Sequence, residues 1–267
     1  MTKYTFNVLL SCMWQTDTSI IEKSNLTSCS TIVINQCKCD QESIHNINMA
    51  TIINTPTRGL SNSRNIGIKN STADICLIAD DDEIFSDDLQ LLITSAYEKI
   101  PNADVIIFRL SNCSCKLGNR LKKLKRLDCL KVSSWQISFK LSSIKEKVYF
   151  DPNLGAGTGN GASEENKFLL DCYNKRLNIY YVPIEIGKMK DNSGSTWFHG
   201  FDENYFFNRG KTTRYILGKN LAVFYAWYYL IFKYKLYKER ISFYKAKKFL
   251  FMGLKEKNIN AKLETTR

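Results

Sequence analysis

Short apolar runs alternate with amphipathic segments along the first 110 residues, and this alternation predicts strands and helices in turn. Residues 4–11 and 30–35 have the composition of strands, and residues 17–26 have the spacing of a helix between them. A strand, a helix and a strand at this spacing form a βαβ unit, so we expect parallel pairing with a right-handed crossover. The pattern therefore predicts an α/β fold.

A short apolar run within residues 73–79, namely Ile75, Cys76, Leu77 and Ile78, is typical of a strand that is buried on both faces. A helix is predicted just before it, over residues 63–70, and Ser61 or Asn62 could cap the first turn of that helix. The same rules predict further elements along the chain: a helix over 87–99, strands over 104–110, 135–141 and 180–184, and a basic connection over 111–133.

Four consecutive acids follow the strand predicted at residues 73–79, namely Asp80, Asp81, Asp82 and Glu83. Like charges repel one another, so a counter-charge must hold these acids unless the segment is a solvated acidic turn. Open α/β sheets bind ligands at the carboxyl ends of their strands, and Mg²⁺ is commonly held by one or two carboxylates together with substrate phosphates. The position therefore favours a divalent cation with a nucleotide diphosphate, and Arg64 on the preceding helix adds a fixed cation nearby.

A glycine-rich stretch over residues 150–165 has no room for a core, so it predicts a loop. It matches neither the dinucleotide-binding nor the P-loop fingerprint, because no strand leads into it in the right frame and no Lys-Ser or Lys-Thr pair follows. Ser163 could cap a helix whose first turn contains Glu164 and Glu165, where the helix dipole favours anions. A dipole role alone would be enough to explain these two acids.

The segment from Gly59 to Gly67, GLSNSRNIG, resembles a motif of the family 2 glycosyltransferases of the GT-A fold, approximately G-L-S-x-A-R-N-x-G. The Asp80-Asp81-Asp82 run that follows is similar to the Asp-x-Asp metal motif of that family. The resemblance implies an α/β, Rossmann-like sheet, mixed and mostly parallel, flanked by helices. It also implies an inverting, metal-dependent transfer of one sugar from a nucleotide-diphosphate donor, with a UDP-sugar favoured, to a hydroxyl of a glycan or a lipid-linked oligosaccharide.

By this resemblance the metal would be Mn²⁺ or Mg²⁺, with Asp82 as a ligand, Asp80 near the ribose or the metal, and His199 as a late ligand. His199 lies beside aromatic residues, so a packed histidine is the alternative. Asp81 would belong to the donor site, and Arg64 would help to screen the diphosphate.

In the resembled family the ends of the first two strands hold the nucleotide base, often through an aspartate in the second. Here Ser11 stands at the first end, and Asn35 and Gln36 stand at the second. An amide can offer a base edge both a donor and an acceptor, so base binding is retained while the identity of the base stays open. Arg58 and Asn62, at the start of the motif, complete the predicted donor-binding set.

Members of the resembled family place a Glu-Asp pair at the start of a helix after such a loop, and the second acid acts as the catalytic base. Glu165 occupies that second position, with one more methylene than an aspartate. This difference leaves open whether Glu164 or Glu165 takes the proton of the acceptor hydroxyl.

Composition divides the chain into a neutral part and a basic end. Of the 267 residues 44% are apolar, which is enough for one sizeable core with an appendage, and we predict a domain over residues 1–215 and a helical tail over 216–267. Residues 210–267 hold 14 Lys/Arg against 3 Asp/Glu, whereas the first 209 residues hold 24 against 23. The nine cysteines show no zinc-finger spacing, so we expect reduced thiols in a cytosolic protein.

The basic end begins with residues 221–232, which contain no charge and would span about 18 Å as a helix, too short for a hydrocarbon core of about 30 Å. Lysines interleaved with aromatic residues follow, and this favours a helix lying in a membrane interface. Nucleic-acid binding and a helical pair packed on the domain are the alternatives. We expect no nucleic acid, and peripheral attachment at the cytoplasmic face of a membrane, where a polyprenyl-linked acceptor for surface polysaccharide or capsule would be met.

Two other functions stay open at this point. A nucleotidyltransferase also uses acids and a metal on an α/β sheet, but it releases pyrophosphate in place of a nucleoside diphosphate. A non-catalytic membrane or nucleic-acid adaptor would depend on the basic tail alone, and would bind nucleic acid in a salt-sensitive way without binding a nucleotide.

Overall fold

The computed structural model of the chain describes residues 3–114, 116–160, 163–190, 200–257 and 259. Contacts divide the chain into two compact units, and each is considered by itself. Unit 1 comprises Met1–Asp151 and Glu164–Ser193, and unit 2 comprises Pro152–Ser163 and Gly194–Arg267.

The described part of unit 1 contains the strands β1 (Phe6–Met13), β2 (Thr31–Gln36), β3 (Ser43–Ile47), β4 (Ala50–Thr55), β5 (Ile75–Asp80), β6 (Glu83–Phe85), β7 (Val105–Arg109), β8 (Lys122–Lys123), β9 (Ile137–Lys140), β10 (Ile179–Glu185) and β11 (Gly187–Met189). Nine of them form one sheet in the order β3-β4-β2-β1-β5-β9-β7-β10-β8, and β6 pairs with β11 in a small antiparallel sheet.

The large sheet is mixed, with a parallel block at its centre. β1 pairs in parallel with β2 and β5, and β2 pairs in parallel with β4. β9 runs antiparallel between β5 and β7, and β7 pairs in parallel with β10. The carboxyl ends of β1, β2 and β5 therefore meet at one edge of the sheet, and the α/β class predicted from the sequence is confirmed.

The helices of unit 1 are α1 (Ser19–Lys23), α2 (Leu60–Asn70), α3 (Leu89–Lys99), α4 (Leu141–Ile144) and α5 (Glu164–Asn174), with 3₁₀ turns at Asp128–Lys131 and Ser134–Gln136. Central strands consist of fully buried aliphatic residues on both faces, such as Leu9, Leu10, Ile75 and Leu77. This is the pattern expected of parallel strands covered on each side.

The start of α2 corrects one prediction. Gly59, at φ 100°, precedes the helix, and α2 begins at Leu60 in place of residue 63. Only glycine adopts such a backbone angle without strain, so the chain turns into the helix earlier than its polar residues suggest. Ser61 and Asn62 lie inside the first turn, and no side chain caps the helix.

Unit 2 contains, among its described residues, α6 (Glu203–Phe232), α7 (Tyr234–Tyr237) and α8 (Phe243–Gly253). α6 is interrupted at Gly218, whose φ is 74°, and the predicted boundary at residue 215 falls inside this helix. α6 and α8 approach so closely that a Cβ at Gly210 or Gly253 would clash with a backbone oxygen of the other helix. None of the described helices combines the length and the apolarity that a membrane span requires.

Candidate active site

A buried arginine joins the two acidic segments of the chain. Arg64 of α2 has no exposed surface, and its Nη2 donates to both carboxylate oxygens of Asp80, each at 3.0 Å. Its Nη1 donates to Oε1 of Glu164, 100 residues further along the chain, at 2.9 Å. The guanidinium also lies over the ring of Phe150, with 5.3 Å to the centroid. The end of β5 and the start of α5 are thereby held against the same cation.

The carboxylates around Arg64 offset the free-energy cost of burying its positive charge. Burial disfavours the charged guanidinium, but the carboxylates of Asp80 and Glu164 outweigh it and raise the pKa of Arg64. A buried charge is tolerated when it is paired and hydrogen-bonded in this way. The predicted role of Arg64 as a cation that screens a diphosphate does not fit this placement, because its charge is already matched by two carboxylates inside the fold.

Asp80 is correspondingly engaged by its neighbours. Besides the two contacts from Arg64, its Oδ2 accepts a hydrogen bond from the hydroxyl of Ser134 at 3.1 Å. Its backbone N–H donates to Oε2 of Glu83 at 3.3 Å. Both carboxylate oxygens of Asp80 therefore already have partners within unit 1, so the structure gives it an anchoring place and not that of a free metal ligand.

The remaining acids of the run are less well compensated. Burial, followed by the negative charges of neighbouring aspartates, raises the pKa of Asp81 and of Asp82. The same causes raise the pKa of Glu83, which is fully buried, well above its usual range and favour its neutral form. No described side chain forms a hydrogen bond or an ion pair with the carboxylate of Asp82.

Lys190, which follows β11, supplies the second cation of this site. Its Nζ donates to the backbone oxygen of Asp81 at 2.5 Å and to the hydroxyl of Ser24 at 3.3 Å, and its backbone N–H donates to the oxygen of Asp82 at 2.8 Å. Burial lowers the pKa of Lys190, while the charges of the neighbouring acids oppose that shift. The pairing of β6 with β11 brings this lysine to the acids, and local sequence gives no sign of it.

Asp81 and Asp82 form the donor set that suits a divalent cation. Burial and then the negative charges of neighbouring aspartates raise the pKa of both, a bound cation would favour their ionised forms, and carboxylate oxygens are the ligands that Mg²⁺ prefers. Among residues whose placement is described, no group of three or more His, Cys, Asp or Glu side chains has the spacing of a metal site. His199, the predicted late ligand, lies outside the described residues.

The two acids at the start of α5 differ in exposure. Glu164 is 5% exposed and accepts from Arg64, whereas Glu165 keeps a partly exposed side chain. Burial, and next the charge of Glu164, raises the pKa of Glu165 well above its usual range, while Arg64 opposes the rise. The helix start is fixed by Asn166, whose Nδ2 donates to the oxygens of Cys129 and Val132, each at 3.0 Å.

Three residues of the predicted base-binding edge are used for packing. Ser11 is buried, and its Oγ accepts a hydrogen bond from Ser63 at 2.9 Å. Asn35 is buried too; its Nδ2 donates to the oxygens of Gln15 and Asn54, each at 2.8 Å, and its Oδ1 accepts from the backbone of Gln15 at 3.0 Å.

The amide of Asn35 therefore organises the loop after β1 and presents no free edge to a base. Gln36 is 3% exposed, with a buried Oε1 that no described group contacts. The prediction that Ser11, Asn35 and Gln36 contact the base directly needs correction, because these side chains face the interior.

Arg58 and Asn62, also predicted to bind the donor, lie near the start of α2. The guanidinium of Arg58 stacks on the ring of Trp14, 4.1 Å from its centroid, and Trp14 is 42% exposed at the end of β1. Asn62 donates to the backbone oxygen of Arg58 at 2.7 Å and also lines, with Asn65 and Tyr149, a cavity of about 460 Å³ beside α2. Trp14 was not among the predicted site residues, although a tryptophan at the end of a strand can act as a stacking platform.

Comparison with known proteins gives a match to one family model and a resemblance to solved structures. Residues 30–155 match the family model described as glycosyl transferase family 2. No curated protein sequence matches the chain.

Among solved structures the chain resembles S. aureus TarS at a TM-score of 0.56 and 14% identity, covering 84% of this chain and 43% of that chain. S. aureus TarS 1-349 in complex with UDP-GlcNAc gives 0.55 and 13%, with 78% and 65% covered. A mycobacterial protein gives 0.51 and 15%, with 79% and 73% covered. The chain spans less than two thirds of the length of these TarS structures, and likeness at this identity establishes the GT-A fold alone.

Replacing Arg64 by methionine tests the arrangement of charges. We expect Arg64→Met to lower the free energy of unfolding by about 3–5 kcal/mol, because Glu164 would remain buried without its cation. Arg109→Met is the control: Arg109 forms a more exposed pair with Glu185 at 3.2 Å, and its loss should cost about 0–1 kcal/mol. Equal losses in chemical denaturation would contradict the role assigned to Arg64.

Proposed function

We propose that this chain, whose residues 30–155 match the glycosyl transferase family 2 model, moves one sugar from a UDP-sugar to an acceptor hydroxyl with inversion at the anomeric carbon. The observation that supports this most is the bridge from Arg64 to Asp80 and Glu164. Within unit 1, this bridge holds a cluster of carboxylates that suits a cation bound to a diphosphate. It also holds a separate, partly exposed carboxylate, that of Glu165.

A UDP-sugar is favoured as the donor on the grounds of fold and stacking. S. aureus TarS 1-349, which shares the fold, has been solved with UDP-GlcNAc. In this chain the exposed ring of Trp14, with Arg58 stacked on it, lies at the carboxyl end of β1 and offers a platform for a planar base. This replaces the polar contacts that were expected from Ser11 and Asn35.

Asp82, together with Asp81, would hold Mn²⁺ or Mg²⁺. When bound, such a cation supplies positive charge against the diphosphate leaving group. Asp80, fixed by Arg64 and Ser134, keeps the acidic run in place at the end of β5. Lys190 adds a fixed positive charge on the other side of the run, where it limits repulsion between the acids.

Glu165 is proposed as the general base, and Glu164 as the residue that positions it. The acceptor oxygen attacks the anomeric carbon from the face opposite the diphosphate, the bond from that carbon to the diphosphate oxygen breaks, and the acceptor proton passes to the carboxylate of Glu165. A raised pKa suits this role, because it makes the ionised carboxylate a stronger proton acceptor. Glu164 is bound to Arg64 and is less free to accept a proton.

The acceptor and location are proposed from unit 2. Several large apolar side chains of α6 and α7 are exposed, among them Phe224 at 75%, Phe232 at 71% and Leu236 at 58%. Lys233, Lys235 and Lys238 follow along the chain, and exposed apolar residues next to lysines suit the surface of an anionic membrane. We propose peripheral attachment to the cytoplasmic face, where a glycan or polyprenyl-linked acceptor for cell-surface polysaccharide such as capsule is met.

Replacing Asp82 by asparagine tests the cation site. In wild-type protein, UDP-sugar with Mn²⁺ at about a hundred times its Kd should raise the free energy of unfolding by about 2.7 kcal/mol, because the ligand binds only the folded state. Asp82→Asn should lose that gain and the transfer activity while keeping its fold. Asp88→Asn, at an exposed acid before α3, is the control and should respond like wild type. A metal-dependent response retained in Asp82→Asn would refute the assignment.

Replacing each acid of α5 by glutamine separates the base from its neighbour. Glu165→Gln should keep donor affinity and lose about 10²–10⁴-fold in rate, because the amide cannot accept the proton. Glu164→Gln should stay active, since its Oε1 can still accept from Arg64.

The pH profile adds an independent readout. Wild-type activity should fall as the pH drops through the raised pKa of Glu165, because protonation removes the base. Glu164→Gln removes a neighbouring negative charge, so the fall in activity should occur at lower pH than in wild type. The assignment of Glu165 as the base fails if Glu164→Gln is the inactive variant. It also fails if activity falls at the same pH in Glu164→Gln as in wild type.

A further inference from the structure

Unit 2 contains a second arginine enclosed by aromatic rings. Arg209 of α6 is only partly exposed, and its guanidinium lies 3.9 Å from the centroid of the Tyr229 ring. Its Nη1 donates to the hydroxyl of Tyr205 at 3.0 Å, and its Nη2 donates to the hydroxyl of Tyr225 at 2.9 Å. The hydroxyls of Tyr205 and Tyr229 lie 2.8 Å apart. We call Arg209 and these tyrosines the tyrosine cage.

The charge in the tyrosine cage has no counter-charge among the residues that the structure describes. No described carboxylate lies within 4.0 Å of Arg209, whereas Arg64 has two. Burial raises the pKa of Tyr229, so this phenol stays neutral and cannot balance the arginine. Stacking on aromatic faces stabilises a cation, but it leaves the net positive charge in place.

Some N–H and O–H donors of the tyrosine cage are not used by the hydrogen bonds within it. A guanidinium has five N–H groups, and two of them are used by tyrosine oxygens. The hydroxyl of Tyr225 accepts from Arg209, so its own hydrogen points elsewhere, and no acceptor for it is found among the described residues. A positive charge with spare N–H and O–H donors is the arrangement that binds the oxygens of a phosphate.

The cage continues into the exposed apolar face of α6. The ring of Tyr225 lies 6.0 Å from that of Tyr228, and Tyr228 stacks on Phe232 at 5.2 Å. Tyr228 is 46% exposed and Phe232 is 71% exposed, and Phe224 beside them is 75% exposed. A strip of aromatic side chains thus runs from the guanidinium of Arg209 to an exposed apolar surface.

A ligand that satisfies both the cation and the aromatic strip must carry a phosphate attached to an apolar chain. A free nucleotide would satisfy the cation and leave the apolar strip uncovered, while a neutral lipid would leave the cation unbalanced. Residues 200–257 hold 13 Lys/Arg against 4 Asp/Glu, so long-range attraction also favours an anionic surface.

We propose that Arg209 and the hydroxyl of Tyr225 form a binding site for the phosphate group of a membrane lipid whose apolar chain lies along Tyr228, Phe232 and Phe224. The site rests on the proposed attachment of unit 2 to a membrane and makes it specific, because one headgroup is held at one place. A phosphodiester of a bulk phospholipid and the phosphate of a polyprenyl carrier share this chemistry.

The test measures binding of the full chain to vesicles by co-sedimentation. Three vesicle types are compared: neutral phosphatidylcholine alone, the same lipid with phosphatidylglycerol, and the same lipid with a polyprenyl phosphate at matched surface charge. Wild type, Arg209→Gln, Tyr225→Phe and Lys235→Gln are measured, with Lys235→Gln as the control because it removes one exposed charge from the same unit.

Arg209→Gln should weaken binding to phosphate-bearing anionic vesicles by about tenfold to a hundredfold, the range for lost hydrogen bonds to a charged group. Lys235→Gln should weaken it by about fivefold, as expected for one charge near an anionic leaflet. Tyr225→Phe, which keeps the ring, should show an intermediate loss, and it decides the question if Arg209→Gln does not fold. A larger loss with polyprenyl phosphate identifies the carrier as the ligand, and equal losses with both lipids identify bulk phospholipid.

Three results would overturn the site. In the first, Arg209→Gln and Tyr225→Phe bind vesicles as well as Lys235→Gln does. In the second, millimolar inorganic phosphate removes the difference in binding between wild type and Arg209→Gln, which would mean a site for free phosphate. The third is the absence of vesicle binding by wild type, which would remove membrane attachment as well. Donor binding with Mn²⁺, measured on the same variants, should be unchanged, so failure of the glycosyltransferase proposal would appear there and not in the vesicle data.

Discussion

The pairing of Arg64 with Asp80 and Glu164 is the interaction on which the arrangement of unit 1 depends. A guanidinium without exposed surface is stable only when its charge is matched. Glu164 lies 100 residues from Arg64 in the sequence, and Asp80 lies at the end of β5. This constraint fixes α2, β5 and α5 relative to one another. It engages Asp80 and Glu164 in ion pairs, so we propose Asp81, Asp82 and Glu165 as the acids that meet a ligand.

Continuous apolar runs made the central strands predictable. Residues 73–79 and 30–35 each contain a run of at least three consecutive apolar residues, and β5 and β2 appear there within two residues. The hairpin of β3 and β4 was missed because β3 is an exposed edge strand, with Asn and His among its residues and no apolar face to detect.

The roles of polar residues were less predictable, because they depend on partners distant in sequence. Arg64 was recognised from its motif, but only the fold shows that Glu164 reaches it and uses its charge internally. Lys190 has no local pattern at all and meets the acidic run through the pairing of β6 with β11. Asn35 was expected to contact a nucleotide base, yet its amide is used to hold the loop after β1.

We propose that the site around Arg64 breaks the bond between a sugar and a nucleoside diphosphate. The most direct measurement follows phosphorus and anomeric proton resonances by NMR while the full chain, a UDP-sugar, Mn²⁺ and an acceptor glycan react. We expect UDP to accumulate in step with a product whose anomeric configuration is opposite to that of the donor. Release of pyrophosphate, or a product that retains the donor configuration, would contradict it.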